Sequence, residues 1–462
     1  MGRARTDRAA TGGIATHPAP IRGRLHAMPF DGILRDGRLA GHDPETLGER
    51  YGTPYFAYDL DGITERVEAL RSVLPGSFDL AYAVKANPSL AVLHHLGGLG
   101  IGFDVASAGE LRHVRRAGVA AERIVFTGPG KRDDELAAAV AAGVRVVTVE
   151  SPGELRRLAR IAEGLGRRQP VMLRANVAES GRHEKVRIIG DELAGKFGMS
   201  ASDLRIAAAD AVASPWLEPI GLHAFGASNL LDAGLLVEHA TTTVEAAASL
   251  AAEAGFELRL VDAGGGLGIP YADGEQPLDL AALGDGLEGL EGRMAADPAM
   301  RGARVLLEPG RFLVGPCGAY VARVLDRKVV RGRPVVVLDG GIHGVLRPAL
   351  IRQEHRVVAL TGVGASPGGA TGAAAEPVTI AGPLCSGLDI LAASLTIVPP
   401  EPGDLVAVLD VGAYGATESM PLFLGHPLPA EVALRGNESW AARPRLDPDS
   451  WLATQVGEPP RR

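Results

Sequence analysis

The chain of 462 residues contains only two cysteines, Cys317 and Cys385. Two cysteines cannot build a disulfide framework, so we expect a reducing compartment and a cytoplasmic protein. The chain has no run of about 18 apolar residues, and this argues against a transmembrane helix. Positive charge is in deficit, with a formal net charge of −8. We therefore expect neither nucleic acid nor a membrane as a partner.

The N-terminal residues 1–27 are rich in Arg, Ala and Gly and lack an apolar core. They match neither a secretory signal nor a folded segment, so we interpret them as a disordered extension, with Met28 as an alternative start. The whole chain is too long for one ordinary domain, and its 46% of apolar residues suffices for large cores. These features predict two domains.

From about Tyr51, strand-like and helix-like stretches alternate along the sequence. Strands that alternate with helices pair in parallel, and eight such units in about 250 residues favour a closed (β/α)8 barrel over an open doubly wound sheet. We predict that this α/β barrel occupies residues 51–311. The predicted strands are 80–84, 102–106, 123–127, 144–149, 170–175, 220–224, 258–262 and 304–307.

After Arg311 the alternation ends, and strand-like stretches follow one another with few helices between them. This pattern predicts a separate C-terminal β domain over residues 312–439, joined by the N-terminal segment 28–50. The residues 365–375 are predicted to form a low-complexity loop, and the polar residues 440–462 a loose tail. The predicted strands of this domain are 319–325, 329–330, 334–338, 357–361, 377–380 and 405–409.

Lys85 follows an apolar stretch, residues 80–84, and Asn87-Pro88 then stops the strand. Burial at a strand end favours the neutral amine, which is nucleophilic and suits a Schiff base to a carbonyl cofactor such as pyridoxal 5′-phosphate. A lysine that extends from a strand end into water fits the same stretch. The residues at the other strand ends distinguish the two, because barrel active sites lie at the C-terminal ends of the strands.

Polar or flexible residues follow several of the other predicted barrel strands. A run of three glycines after the seventh strand lets a backbone approach a phosphate and donate N–H groups. Arg311, after the eighth strand, adds a charge-assisted contact, and Glu308 is placed to pair with a protonated pyridine nitrogen. The strand-end residues are Lys85, Asp104, Ser107, Arg174, His223, Phe225, Ser228, Gly264, Gly265, Gly266, Glu308 and Arg311.

The β domain adds two candidate residues. Cys385 lies in a turn, residues 382–389, that contains two glycines and a proline. A cysteine is small and is also a common core residue. Tyr414 stands in Gly412-Ala-Tyr-Gly415, and glycines on both sides suit a positioned hydroxyl.

With these residues in place, the chain resembles the fold-type III pyridoxal phosphate-dependent decarboxylases, the family of diaminopimelate, ornithine and arginine decarboxylases. The resemblance covers residues 51–432 and implies a homodimeric amino-acid α-decarboxylase with an alanine racemase-like barrel and β domain. It rests on Tyr82-Ala-Val-Lys-Ala-Asn87, Phe103-Asp-Val-Ala-Ser107, Gly264-Gly-Gly266, Glu308-Pro-Gly-Arg311 and Gly382-Pro-Leu-Cys385.

The resemblance also implies roles for individual residues. Lys85 carries the cofactor as an aldimine, Glu308 pairs with the pyridine nitrogen, and Cys385 enters the site of the other subunit to protonate the carbanion left by loss of CO2. Further cofactor contacts, most of them to the phosphate, are implied for Asp104, Arg174, Phe225, Ser228, Gly264, Gly265, Gly266, Gly310, Arg311 and Tyr414.

The chain departs from the family at two positions that bear on its chemistry. Phe225 stands in place of the histidine that stacks on the pyridine ring, and phenylalanine stacks but cannot hydrogen-bond. Ser386 stands where diamine-specific members carry an acid for the distal ammonium. Arg347 resembles the arginine that binds a substrate carboxylate in diaminopimelate decarboxylases, and Arg311 is expected to help it. The arginine for the distal carboxylate of diaminopimelate is therefore kept, and the acid for its distal ammonium is replaced.

The first interpretation is a diaminopimelate decarboxylase-like enzyme. An alternative is decarboxylation of a carrier-tethered or siderophore-pathway amino-acid intermediate, because those branches of the family also have a non-acidic residue after the cysteine. A racemase on the same barrel would need a second base beside Cα, and the sequence offers no strong case for one. A catalytically inactive, cofactor-binding regulatory protein would be expected to lack Lys85 or Cys385, and both are present. No metal site is expected.

Overall fold

The computed structural model describes residues 32–176, 195–226, 228–360 and 374–457. The predicted extension 1–27 and most of the predicted loop 365–375 lie outside these residues. The described chain begins with a small hairpin, one helix and one strand. They are β1 (Leu34–Arg35), β2 (Arg38–Leu39), α1 (Pro44–Tyr51) and β3 (Tyr55–Asp59).

Eight parallel strands close into a barrel, and this confirms the predicted fold. Each predicted barrel strand is present, with ends that differ by a few residues from the sequence prediction. The last strand pairs with the first, with Val305 opposite Phe78, and so closes the sheet. The strands are β4 (Phe78–Ala83), β5 (Gly102–Val105), β6 (Ile124–Phe126), β7 (Val146–Val149), β8 (Gln169–Arg174), β9 (Leu217–His223), β10 (Leu260–Asp262) and β11 (Arg304–Leu307).

Helices surround the barrel, and local signals in the sequence set their ends. Ser107 and Ser151 cap two of them by accepting hydrogen bonds from the backbone N–H three residues on, and Gly255 ends the longest in the left-handed conformation at φ +78°. The helices are α2 (Leu60–Val73), α3 (Leu90–Gly98), α4 (Ala108–Arg116), α5 (Asp133–Ala142), α6 (Pro152–Gly164), α7 (Ala201–Ala213), α8 (Ala233–Ala254), α9 (Leu280–Ala296) and α10 (Arg311–Val314).

The second domain is built on a nine-stranded sheet. The predicted strands 319–325 and 329–330 are one continuous strand, and three further strands were not predicted, at 390–397, 430–435 and 438–443. The elements are β12 (Gly318–Val330), β13 (Arg333–Leu338), α11 (Arg347–Ile351), β14 (Val357–Leu360), β15 (Glu376–Ala381), β16 (Ile390–Ile397), β17 (Leu405–Leu409), β18 (Ala430–Arg435), β19 (Glu438–Arg443) and α12 (Asp449–Leu452).

Two predicted boundaries need correction. β3 falls inside the range predicted for the barrel, yet it is a central strand of the second sheet, between β12 and β18. β19 forms an edge strand at the start of the predicted loose tail, and its half-exposed residues pair with β18. The partners of β3 are distant in sequence, so local composition does not identify its sheet, whereas β19 forms a hairpin with β18, the strand just before it in the chain. Ile33, Leu39 and Leu47 pack in one cluster with apolar residues of this sheet.

Among the described residues, no helix is both long and apolar enough to cross a membrane.

Candidate active site

Lys85 lies at the C-terminal edge of the barrel. β4 ends at Ala83 and continues into a 3-10 turn, Val84–Ala86, whose middle residue is this lysine. Its Nζ lies 3.5 Å from Oδ2 of Asp104 and 6.0 Å from the centre of the Phe225 ring. The strand-end lysine therefore faces an acid and an aromatic ring that come from two other strands.

The turn that carries Lys85 is tied to the β domain. The side chain of Asn87 donates to the carbonyl of Gly412 at 2.9 Å, and the backbone N–H of Tyr414 donates to the carbonyl of Ala86 at 2.8 Å. Tyr414 itself takes the left-handed conformation, with φ +60°. The lysine thus lies where the two domains meet.

The charge state of Lys85 differs from the sequence expectation. Burial lowers the pKa of this amine, but the carboxylates of Asp104 and Glu308 outweigh that effect and hold the pKa above its usual value. Nearly half of the side chain, 47%, is accessible to solvent, which weakens the effect of burial further. In this arrangement the amine is a cation, whereas the sequence argument predicted a neutral amine.

Strand register brings five polar side chains together inside the barrel mouth. Arg174, His223 and Asp262 are direct neighbours across β8, β9 and β10, so they point to the same face of the sheet. His223, Asp262 and Glu308 each place one polar atom within 4.8 Å of the other two, and all three are buried. Asp104 is also buried, and it accepts a hydrogen bond from the hydroxyl of Thr127 at 2.5 Å.

Glu308 is the ionised member of this cluster. Burial alone raises the pKa of its carboxyl, but His223, whose Nε2 lies 3.6 Å from Oε2, and the charge of Lys85 lower the pKa to about 2. Burial lowers the pKa of His223, so the two shifts oppose each other. Burial and the charge of Glu308 raise the pKa of Asp262. Asp262 therefore stays protonated, and Glu308 carries the negative charge of the pair.

The glycine run after β10 packs closely against its neighbours. Gly264 and Gly266 have φ of +68° and +97°, conformations that a side chain would strain. A Cβ atom on Gly265 would lie 2.5 Å from the carbonyl oxygen of Glu308. The loop that contains Ser228 is pinned to the same run, because the N–H of Leu230 donates to the carbonyl of Gly266 at 2.8 Å. Ser228 and the glycines therefore lie on two backbone segments that are joined by a hydrogen bond.

Arg311 lies between two tyrosine rings. Its Nη1 donates to the hydroxyl of Tyr271 at 2.6 Å, and its guanidinium carbon lies 4.8 Å from the centre of the Tyr414 ring. Gly310 comes directly before it, and a Cβ there would lie 2.9 Å from Cβ of Ala86. The absence of a side chain lets Arg311 approach the turn that carries Lys85.

Arg347 stacks on the same tyrosine ring from the β domain. Its guanidinium carbon lies 4.4 Å from the centre of the Tyr414 ring. Its Nη1 donates to Gln353 at 3.0 Å, and its Nε lies 2.8 Å from Oε2 of Glu418. Arg347, which is predicted to bind the substrate, therefore lies beside Arg311 and Tyr414 of the same chain, which are predicted to bind the phosphate.

Three residues of the site were not predicted from the sequence. Glu150 accepts a hydrogen bond from Arg174 at 2.7 Å, and its other oxygen accepts one from the N–H of Gly198 at 3.0 Å. Thr127 and Tyr271 are the others. Glu150 and Thr127 directly follow β7 and β6, so their strand-end positions could have identified them. Tyr271 lies in a long loop, and no local signal marks it.

Cys385 and Ser386 lie in an exposed loop of the β domain. Buried Asp389 fixes this loop by accepting hydrogen bonds from the N–H groups of Leu384 and Ile342, each at 2.7 Å. Cys385 is exposed, so the common alternative of a core cysteine does not hold. Within the described part of the chain, no hydrogen bond or ion pair connects Cys385 or Ser386 with the barrel site.

These residues fit pyridoxal 5′-phosphate. Oε1 of Glu308 and Nδ1 of His223 are buried without a hydrogen-bond partner among the described residues, and a protonated ring nitrogen would satisfy the carboxylate. The glycine run and Arg311 offer donors suited to a phosphate, and Phe225 offers a ring face. Lys85 supplies the amine that the aldehyde needs.

Comparisons with known proteins agree with this fit. The family model "Pyridoxal-dependent decarboxylase, pyridoxal binding domain" matches residues 60–315. A diaminopimelate decarboxylase of Zymomonas mobilis is 33% identical over 426 residues, which cover 90% of this chain and 96% of that protein. The L-glutamyl-[BtrI acyl-carrier protein] decarboxylase of Niallia circulans is 32% identical over 415 residues, which cover 89% and 95%.

The fold is shared with solved structures as well. The diaminopimelate decarboxylase of M. jannaschii in complex with L-lysine superposes with a TM-score of 0.83 at 28% identity, covering 94% of this chain and 99% of that one. The corresponding enzyme of Helicobacter pylori with L-lysine gives a TM-score of 0.77 at 28% identity, covering 89% and 98%.

Proposed function

Because the chain belongs to the family of pyridoxal-dependent decarboxylases, we propose that it removes the α-carboxylate from an amino acid whose far end carries no lone ammonium. The observation that carries the proposal is that the guanidinium groups of Arg311 and Arg347 both stack on the ring of Tyr414. Two guanidinium groups there, of which Arg347 is already paired with Glu418, disfavour an ammonium at the far end of the substrate. Diaminopimelate, which carries a distal carboxylate, is the first substrate to test.

Each residue has a definable task in this reaction. Lys85 would supply the amine that binds the aldehyde of the cofactor. Glu308 keeps a proton on the ring nitrogen, since its own pKa is about 2. Pyridoxal phosphate, when bound, supplies an electron sink for the electrons of the broken Cα–CO2 bond. Phe225 would lie against a face of the cofactor ring, and Arg174 and Asp104 would lie near its edge.

The phosphate end is assigned to the glycine run and the neighbouring loop of Ser228. Gly264, Gly265 and Gly266 supply N–H groups there, and Ser228 supplies a hydroxyl. Arg311 compensates the phosphate charge, and Gly310 allows it to come close to the lysine turn. Tyr414 stacks on Arg311 and adds its own hydroxyl.

A homodimer completes the site in this proposal. Cys385 is exposed and has no described contact with the barrel site of its own chain, and exposed Leu388 lies three residues on. A two-fold dimer would place Cys385 of each subunit at the other's Lys85, where its thiol returns a proton to Cα after CO2 has left. Ser386 would then lie beside the far end of the substrate.

A second candidate is an amino acid tethered to a carrier protein. Ser386 favours it, because a serine offers no charge to a distal ammonium. A relative from Niallia circulans with 32% identity is named for such a substrate, an L-glutamyl group on an acyl-carrier protein. In that case the distal carboxylate would be a neutral thioester.

A substrate panel with CO2 release as the readout tests the proposal. The panel contains diaminopimelate, glutamate, a glutamyl pantetheine thioester, ornithine, lysine and arginine. Turnover of one of the first three is expected, with ornithine and lysine at least about tenfold slower, because a buried unpaired ammonium is costly. Release of CO2 from none of the panel by the cofactor-loaded protein would refute the assignment.

A further inference from the structure

Arg347 already has a carboxylate partner within its own chain. Its Nε lies 2.8 Å from Oε2 of Glu418, and its Nη2 donates to Oε1 at 3.3 Å. The N–H at Nε is not aligned with the near oxygen, so the contact there is an ion pair rather than a straight hydrogen bond. Nη1 donates to Gln353 at 3.0 Å. Each of the three nitrogens therefore faces an oxygen supplied by the protein.

Surrounding contacts hold Glu418 in this position. The next residue, Ser419, donates to the carbonyl of Gly344 at 2.7 Å, and its hydroxyl accepts the N–H of Leu346 at 3.2 Å. These two bonds fasten the segment of Glu418 to the residues just before Arg347. The side chain of Arg347 is only 9% exposed, and one face of its guanidinium is covered by Tyr414. A partly buried pair fixed on both sides keeps its geometry better than a surface pair does.

We propose that Glu418 is a specificity-determining residue, which fills the place of a substrate's distal carboxylate at Arg347 and so selects substrates with a neutral far end. This inference rests on the proposed decarboxylase function. A second carboxylate at Arg347 would be repelled by Glu418 at short range, while an ester, amide or thioester carbonyl would not. Ser386, the other residue expected at the far end, is neutral too. The substrate class is therefore an α-amino acid with its side-chain carboxyl group esterified or amidated.

Matched substrates test this inference. Two pairs of compounds are compared: glutamate with its ω-methyl ester, and 2-aminopimelate with its ω-methyl ester. Within each pair, esterification removes the distal charge. The wild-type holoenzyme should favour each ester, and the variant Glu418→Gln should raise kcat/KM for the two free acids by about tenfold or more, the value of a hydrogen bond to a charged group. Glu418→Ala should give the same direction. Glu431→Gln, which removes a carboxylate from an Arg443 pair at 3.0 Å in the same domain, is the control and should change neither ratio.

Binding provides a readout independent of turnover. Pimelate, a dicarboxylate without an amine, should raise the melting temperature of Glu418→Gln holoenzyme and leave that of wild type unchanged. The inference would be overturned if the wild-type enzyme preferred the free acids. It would also be overturned if pimelate raised the melting temperature of wild type as much as that of the variant. A folded Glu418→Gln variant with unchanged ester-to-acid ratios would overturn it as well. If no substrate releases CO2, the proposed reaction fails, and the pimelate result still decides the role of Glu418.

Discussion

The amine of Lys85 lies 3.5 Å from the carboxylate of Asp104 at the mouth of the barrel. Asp104 is buried, and its pKa is raised to about 7 by burial and by Glu308, with Lys85 acting in the opposite direction. Each group therefore stabilises the charged form of the other, and the carboxylate of Asp104 favours the protonated amine of Lys85. Attack on an aldehyde requires the neutral amine, so Asp104 influences how readily the cofactor is attached.

Lys85→Ala should abolish covalent attachment of pyridoxal phosphate and leave only non-covalent binding, because the change removes the amine that lies at the barrel mouth. Borohydride reduction followed by peptide mass analysis should locate the cofactor on Lys85 in wild type. Lys328→Ala, in the exposed part of β12, is the control and should remain labelled. A labelled Lys85→Ala protein would assign the attachment to another lysine.

Asp104→Asn should speed attachment at neutral pH. Without the carboxylate the pKa of Lys85 falls, so a larger fraction of the amine is neutral, and the pH profile of attachment should shift to lower pH. Stopped-flow absorbance after mixing cofactor-depleted protein with pyridoxal phosphate measures the rate. Asp210→Asn, which removes one exposed partner of Arg156, should not move the profile. An unshifted profile in Asp104→Asn would show that Asp104 does not control the amine.

Ser386→Glu should raise the activity with ornithine and lysine by about tenfold or more relative to wild type, since a carboxylate can pair with the distal ammonium. Ser386→Ala serves as the control, because it changes the size and polarity of the residue without adding charge. Initial rates of CO2 release give the comparison. Equal diamine activity in the two variants would remove residue 386 from the far end of the substrate.

Lys85→Ala and Cys385→Ala should complement each other in mixed dimers. Each variant alone should be nearly inactive. If every site takes Lys85 from one subunit and Cys385 from the other, a hybrid dimer has one site with both changes and one intact site. Random exchange of equal amounts makes about half of the dimers hybrid, so activity should recover to roughly a quarter of wild type. Proven exchange without recovery would show that Cys385 acts in its own chain or not at all.

His343 should make the protein sensitive to acid. Burial, and then the charge of His426, whose ring is stacked at 4.9 Å, lower the pKa of His343 from 6.5 to about 4. Between these values the unfolded chain binds a proton that the folded protein excludes, so the free energy of unfolding falls as the pH drops from 6.5 to 4, by at most about 3 kcal/mol.

His343→Phe keeps a flat ring and cannot titrate, so it should reduce this slope. Part of the slope should remain, because burial also lowers the pKa of His355 to about 4. Urea unfolding of the holoenzyme at several pH values measures the effect. Identical slopes for wild type and His343→Phe would exclude His343 as a source of the acid sensitivity.

The sequence by itself determined the barrel and much of its site. Alternation of apolar stretches with capped helices indicates parallel strands, and in a parallel barrel every strand end lies on one rim. That geometry was enough to bring Lys85, Asp104 and Glu308 together before any contact was known. Glu150 and Thr127 carry the same strand-end signal and could have been found in the same way.

Tertiary structure alone decided the features that depend on residues far apart in the chain. β3 joins the second sheet because β12 and β18 supply its hydrogen-bond partners, and its own sequence specifies neither. The charge of Lys85 follows from the balance between burial and two carboxylates, which a strand pattern does not contain. Arg347 and Glu418 are 71 positions apart, and only the fold brings their charges to 2.8 Å. A pattern of residue types predicts which groups are present, whereas their charge state and their partners depend on distances that exist only in the folded chain.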